Sequence, residues 1–108
     1  MVHFEAPTDE SSRLHPSELV EACIERAADG LLLDQGALPA AFFDLSSRIA
    51  GELVHRITLY GIRTAIVVPD LAVHSEPFQD FAREANRSSQ FRFFQSRREA
   101  VEWLAVER

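Results

Sequence analysis

The sequence predicts a single-domain α/β protein in which a four-stranded, mainly parallel sheet is covered by helices. Three observations predict this fold class. The chain has 108 residues, 46% of them hydrophobic, which suits one small globular domain. Short apolar segments alternate with segments of helical periodicity, in the order β-α-β-α-β-α-β-α. The connections are short, and such alternation is typical of parallel strands joined by right-handed crossovers.

The first elements follow from local signals. Residues 1–15 are expected to form a first strand and a loop. A helix is expected over about 16–29, because Pro16 suits a first helical turn and apolar residues then recur at helical spacing. Leu31–Leu33 is an all-apolar run, which indicates a buried strand.

A second long helix is predicted in the middle of the chain. Asp44, Ser46 and Ser47 carry side-chain oxygens that can cap its amino end. Gly61 is expected to close it, because glycine readily adopts the left-handed conformation found at helix ends.

The second half repeats the alternation. Arg63–Val68 and Gln90–Phe94 are predicted strands. Ser75 is expected to cap a third helix that ends at Asn86 as a left-handed C-cap. Ser96 begins a capping box for the last helix.

Composition excludes several kinds of chemistry. All eleven basic residues are arginine, so Schiff-base catalysis and a phosphate-loop lysine are excluded. The single cysteine, Cys23, excludes an internal disulfide and a cysteine-cluster zinc site within one chain. We expect no cofactor and no metal. The start of the sequence has no basic-then-apolar signal pattern, so we expect a cytoplasmic protein.

Charge is distributed unevenly along the chain. The formal net charge is −6, yet most arginines lie in the second half, after a strongly acidic first half. This is not the footprint of a nucleic-acid-binding protein. It predicts an arginine-bearing side centred on Arg48, suited to an acidic protein segment or a phosphate.

Several motifs resemble a bacterial domain-of-unknown-function family, number 4180. The resemblance extends over most of the chain from about residue 16, and the family implies no established activity. The motifs are Leu38-Pro39-Ala40-Ala41-Phe42-Phe43-Asp44-Leu45, Ile49-Ala50-Gly51-Glu52, Tyr60-Gly61-Ile62-Arg63, Phe81-Ala82-Arg83-Glu84-Ala85-Asn86-Arg87 and Phe93-Phe94.

The layout is also similar to STAS domains, the fold of anti-sigma-factor antagonists. Ser46 and Ser47 match the two serines of that fold's Asp-Ser-Ser-Gly motif, while Leu45 and Arg48 replace its aspartate and glycine. In STAS domains serine phosphorylation at this motif controls partner binding. The resemblance therefore implies that Ser46, Ser47 and Arg48 form a regulatory or anion-contact site.

Helix geometry points to a second candidate surface. On a helical wheel Glu52, His55 and Leu59 group with Arg48, opposite the apolar stripe of the second helix. The i, i+3 spacing of Glu52 and His55 also occurs in metal sites, but such sites need further ligands that this chain lacks. We therefore expect a protein-contact face.

The sequence leaves three functions open. The first is a non-catalytic, STAS-like regulatory or partner-binding module, switched at a serine before the second helix. The second is a small-molecule-binding protein or minor enzyme with a pocket at the carboxyl ends of the strands, where Asp44, Asp70, Glu84 and Asn86 would be the polar groups. The third is a structural homodimer subunit. No catalytic constellation is recognisable, so we expect no enzymatic activity.

Overall fold

A computed structural model describes residues 3–5 and 16–106, and the predicted order of strands and helices is confirmed. The loop predicted before residue 16 lies outside the described residues. The eight main elements are β1 (His3–Glu5), α1 (Pro16–Glu25), β2 (Gly30–Asp34), α2 (Ile49–Tyr60), β3 (Arg63–Val67), α3 (Glu76–Ala85), β4 (Phe91–Phe94) and α4 (Arg97–Ala105).

The four strands form one parallel sheet in the order β1-β2-β3-β4. Each crossover goes to the next strand in the same direction, so α1, α2 and α3 all cover the same face of the sheet. The last helix, α4, comes after β4 and covers the other face of the sheet. Because α1 to α3 run back from the carboxyl edge to the amino edge, the loops that lead into α2 and α3 lie at the carboxyl edge.

Strand alternation divides the hydrophobic residues between two cores. Leu31 and Leu33 contribute to the large core under α1 to α3, while Leu32 contributes to the smaller core under α4. Phe91 and Phe93 likewise face the large core, and Phe94 packs against the small one. The opposite orientation of Phe94 follows from its position in the strand, one residue after Phe93.

One predicted helix end and one predicted cap conformation are wrong, while the predicted end of α3 at Asn86 is confirmed. The first helix ends at Glu25 rather than near residue 29, and Ala27 takes a left-handed φ of 51° in the turn that follows. Asn86 is not left-handed, since its φ is −68°. Its side-chain Oδ1 instead accepts a hydrogen bond of 2.8 Å from the N–H of Phe93. Asn86 thus accepts a hydrogen bond from a backbone N–H group that would otherwise have no partner at the outer edge of β4.

One charged side chain is buried in the sheet. Arg63 is 4% exposed, and its guanidinium lies 3.9 Å from the centre of the Trp103 ring. It donates hydrogen bonds to the carbonyl oxygens of Ser89 (3.2 Å) and Val106 (2.7 Å). Arg63 therefore fastens the end of α4 to the amino edge of the sheet.

Among the described residues, no helix is both long enough and apolar enough to cross a membrane.

Candidate functional site

The carboxyl edge of the sheet is filled by aromatic rings. Phe42 and Phe78 are fully buried, and their ring centroids lie 6.0 Å apart. Phe43 stacks on the imidazole of His74 at 4.3 Å, with the two planes only 8° apart. Two short local structures position these rings. Phe42 and Phe43 lie in a 3-10 turn, Ala40–Phe43, and Phe78 follows the N-cap of α3, where the hydroxyl of Ser75 accepts a hydrogen bond from the N–H of Phe78.

A tight polar turn follows this aromatic cluster and leads into α2. One carboxylate oxygen of Asp44 accepts hydrogen bonds from the backbone N–H of Ser46 (3.0 Å) and from its hydroxyl (2.7 Å). These two bonds stabilise the charged form, so they lower the pKa of Asp44 below its usual value of 3.8. Asp44 and Ser46 are both exposed, so a modifying enzyme or a partner can reach the hydroxyl.

The two serines of the turn differ in how their hydroxyls are used. The hydroxyl of Ser47 donates to the carbonyl oxygen of Ala41 (2.6 Å) and accepts from the N–H of Ile49 (3.3 Å). It therefore connects two backbone segments. The hydroxyl of Ser46 contacts only the exposed carboxylate of Asp44 among the described residues.

The predicted position of the serines at the helix end is wrong in detail. They lie in a separate 3-10 turn, Leu45–Ser47, and α2 begins only at Ile49. Arg48 stands between the two elements with a left-handed φ of 67°, as the C-cap of the 3-10 turn and the N-cap of α2. It is exposed and forms no ion pair with any described residue.

The outer face of α2 is open to solvent as predicted. Glu52, His55 and Leu59 are all exposed, and 68% of Leu59 is accessible. The opposite side of the helix is fully buried, and its residues are Ala50, Leu53 and Ile57. Glu52 accepts a hydrogen bond of 3.2 Å from Arg56, an exposed pair one helical turn apart.

The four polar residues of the predicted pocket do not meet. Asp44 caps the turn before α2, and Asp70 caps another 3-10 turn by accepting from the N–H of Ala72 (3.0 Å). Glu84 lies near the end of α3, towards the amino edge of the sheet, and Asn86 is bonded to β4. Backbone N–H groups occupy three of them, and for Asp44 and Asp70 these groups lie only two residues away, which is a common use of Asp in loops.

Two clefts lie elsewhere. A cleft of about 190 Å³ separates α2 from α3 and is lined mainly by apolar side chains, with Glu84 at its rim. A more open cleft of about 370 Å³ lies at the carboxyl edge, where Phe43, Val73 and His74 form part of its wall. The sequence did not single out this second cleft, because its walls come from two loops that are about thirty residues apart in the chain, one ending at Phe43 and the other containing Val73 and His74.

Two buried groups also escaped sequence reasoning. His74 has a buried Nε2 atom without a hydrogen-bond partner among the described residues. Arg63 is a buried cation whose ring contact joins two distant segments. The sequence signal for the buried position of Arg63 is its place at the start of a mostly apolar predicted strand.

Cys23 is not a reactive thiol. It is fully buried in the large core, and this burial raises its pKa to about 11. Within residues 3–5 and 16–106, no three His, Cys, Asp or Glu side chains are grouped so that they could hold a metal ion.

Comparison with known proteins gives a family but no activity. No curated protein and no solved structure matches the chain. The family model described as "Domain of unknown function (DUF4180)" matches residues 8–104, which is nearly the whole chain and includes the aromatic cluster, the polar turn and α2. The chain therefore belongs to this family.

Proposed function

We propose that the protein is a non-catalytic, STAS-like regulatory module that binds another protein through the outer face of α2 and the polar turn before it. We call this the α2 surface, and it consists of Ser46, Arg48, Glu52, His55 and Leu59. The observation that carries the proposal is an exposed aliphatic side chain on α2, Leu59, together with an exposed cation in the turn just before it, Arg48, which forms no ion pair with any described residue. Such a face supplies both a desolvated anchor and a charge that selects the partner.

The rigidity of the surface supports this role. Ala50, Leu53 and Ile57 anchor α2 in the large core, so the opposite face is presented on a fixed scaffold. Gly61 ends the helix with a left-handed φ of 66°, and the predicted stop is confirmed. A preorganised face loses less entropy on binding than a flexible one.

The filling of the carboxyl edge supports the same choice. In open parallel α/β sheets a ligand pocket lies at the carboxyl ends of the strands. There Phe42 and Phe78 occupy the interior, and Asp44 and Asp70 are engaged by their own loops. No described cleft gathers the polar residues that the pocket hypothesis requires.

The polar turn gives the module a plausible switch at Ser46. Phosphorylation would remove the hydroxyl hydrogen that now bonds Asp44 and would place a charge of about −2 beside that carboxylate. Repulsion would open the turn, and Arg48, two residues further on, would be the available cation. Ser47 is a poorer candidate, because its hydroxyl holds the backbone of Ala41 and Ile49 together.

The test is affinity capture from the native cell with matched variants. Leu59→Asp and Arg48→Glu alter the α2 surface, whereas Val73→Asp alters an equally exposed aliphatic residue, 72% accessible, at the carboxyl-edge cleft. We expect the same partner to be captured by wild type and by Val73→Asp and to be lost with the other two.

A partner that depends on Val73 and not on Leu59 would contradict the proposal. Ser46→Glu, compared with Ser46→Ala, tests the switch separately. The proposal predicts that only the acidic variant changes the amount of partner captured. Equal capture by both would remove Ser46 from the mechanism while leaving the surface intact.

One observation favours a second function, the binding of a small molecule at the carboxyl-edge cleft. The unpaired Nε2 of His74 lies beside a cleft of about 370 Å³ with aromatic walls. A ligand with a hydrogen-bond donor and an aromatic or aliphatic body would suit it. Screening small heterocycles by thermal shift, with His74→Phe as the control variant, tests this: stabilisation must occur in wild type and vanish in the variant.

A further inference from the structure

Three exposed hydrophobic side chains gather at one end of two neighbouring helices. Ile24 lies in the last turn of α1 and is 53% exposed, while Leu59 and Tyr60 end α2 and are 68% and 54% exposed. Helices α1 and α2 pack against each other, and both run from the carboxyl edge of the sheet to its amino edge. Their last turns therefore lie side by side. We call these three residues the end patch.

The orientation of α1 turns Ile24 towards α2. The guanidinium of Arg26 lies 4.6 Å from the centre of the Phe4 ring, so that flank of α1 faces β1. Ile24 precedes Arg26 by two residues, and at roughly 100° per residue it lies on the opposite flank. That flank adjoins α2, since α2 is the helix packed beside α1 on the inner side of the sheet.

The two helices carry opposite charges beside the end patch. The outer face of α1 presents Glu18, Glu21 and Glu25, all exposed, and no basic residue lies in its last turn. Acidic groups at the carboxyl end of a helix are unfavourable because that end is already negative. Arg26, which follows the helix, donates to the carbonyl oxygen of Ala22 (3.4 Å) and lies on the flank that faces Phe4, so the acidic outer face of α1 still favours an external cation. Glu21 and Glu25 form no ion pair with any described residue. On α2 the corresponding side carries Arg56, whose Nε donates to Glu52 of the same helix (3.2 Å) and whose two terminal guanidinium nitrogens form no ion pair with any other described residue.

We propose that the end patch is covered by a second copy of this chain, related by a two-fold axis that lies between α1 and α2 and parallel to both. This axis places α1 of one copy over α2 of the other. End patch then faces end patch, and Glu21 of each copy faces Arg56 of its partner. This charge contact forms twice, as in any isologous dimer.

Charge selects this axis over the alternative. A two-fold axis running across the helices would place α1 over α1 and bring the glutamates of the two copies together. Like charges in such a contact are strongly unfavourable, so that arrangement is rejected. The contact is small, since it rests on the last turns of two helices, and its dissociation constant is expected in the range of about 1–100 μM.

Sedimentation equilibrium of the purified chain tests the proposal. Wild type is expected to be in reversible monomer–dimer equilibrium, and Ile24→Asp to weaken the dimer by at least about tenfold. Val73→Asp is the matched control, since it alters an exposed aliphatic residue outside the end patch and must leave the equilibrium unchanged. Circular dichroism confirms that each variant is folded. A wild type that stays monomeric at roughly 200 μM, or a dimer insensitive to Ile24→Asp, would overturn the proposal.

A charge-exchange experiment tests the axis itself. Glu21→Arg and Arg56→Glu should each abolish the dimer alone, because each creates two like-charge contacts. Mixed in equal amounts, the two variants restore opposite charges at both contacts and should form a heterodimer. Failure of the mixture to associate would rule out this axis.

The end patch and the α2 surface share Leu59, so a second copy and the protein partner compete for that side chain. The two proposals can still be tested separately, because Ile24 and Glu21 lie outside the α2 surface and Arg48 lies outside the end patch. Self-association lost in Ile24→Asp with partner capture intact would support the dimer. Capture lost in Arg48→Glu with self-association intact would support the partner-binding proposal.

Discussion

The replacement Phe78→Ala tests the role of the aromatic cluster at the carboxyl edge. The side chain of Phe78 is fully buried at the start of α3. Five aromatic rings surround it with centroids 5.1 to 6.0 Å away, and they are Phe42, Phe43, His74, Phe81 and Phe93. Truncation of such a residue leaves a cavity that the interlocked rings cannot close, and it typically costs about 3–5 kcal/mol.

This loss would be a large part of the stability of a domain of this size, which is about 5–15 kcal/mol. Urea denaturation followed by circular dichroism measures the loss in the free energy of unfolding. In thermal unfolding the Tm should fall by at least about 10 °C. Val73→Ala, at the rim of the same edge, should change stability by less than about 0.5 kcal/mol. Phe78→Leu, expected to cost about 1–2 kcal/mol, keeps the comparison usable should Phe78→Ala fail to fold.

A stability loss below about 1 kcal/mol for Phe78→Ala would refute this reasoning. It would mean that the rings are not a tightly packed core and that the carboxyl edge is available for another use. The small-molecule hypothesis would then gain over the partner-binding one.

Three further predictions follow from local geometry. Gly51→Ala should raise the free energy of unfolding by about 0.5–1 kcal/mol in urea denaturation, because glycine weakens a helix and an added Cβ meets nothing within 4 Å. A lower free energy of unfolding would contradict this prediction. Arg63→Lys should cost about 2 kcal/mol, since lysine cannot keep both carbonyl contacts and the stack on Trp103; an unchanged denaturation midpoint would contradict it. Ser46→Ala should raise the pKa of Asp44 towards 3.8 in a carbon-detected NMR titration. Because the folded pKa is lowered, the Asp44 bonds stabilise the turn above the ordinary pKa and are lost as pH falls through the folded one; an unmoved pKa would refute the assignment.

The elements set by local patterns could be predicted from the sequence. The period-two alternation of β4 assigned Phe91 and Phe93 to one face and Phe94 to the other. Ser75 and Ser96 accept hydrogen bonds from the N–H groups three residues on, as the capping signals predicted. These features depend only on neighbouring residues, so the sequence contains all of their causes.

Features that depend on distant contacts could not be predicted. Asn86 caps α3 as expected, but its backbone is not left-handed, and its side chain supplies a hydrogen-bond acceptor to the edge of β4. The left-handed backbone of Arg48 arises between two turns, and arginine gives no local signal for it. For the same reason the sequence placed Ser46 and Ser47 on the helix end rather than in a turn of their own.

The candidate surface was predictable and the candidate pocket was not. Exposure of Glu52, His55 and Leu59 follows from the helical period alone, because the buried stripe fixes the opposite face. The sequence alone could not show whether Asp44 and Glu84 converge. That depends on the distance between the start of α2 and the end of α3. Parallel crossovers put these residues near opposite edges of the sheet.

Site-specific photocrosslinking in the native cell tests the central claim most directly. A photoreactive amino acid placed at His55 lies in the α2 surface, and one placed at Val73 lies at the carboxyl edge with comparable access to solvent. The account predicts a crosslinked product with a different protein from position 55, lost with Arg48→Glu, and none from position 73. A product from position 73 alone, or one from position 55 that is unchanged by Arg48→Glu, would contradict it.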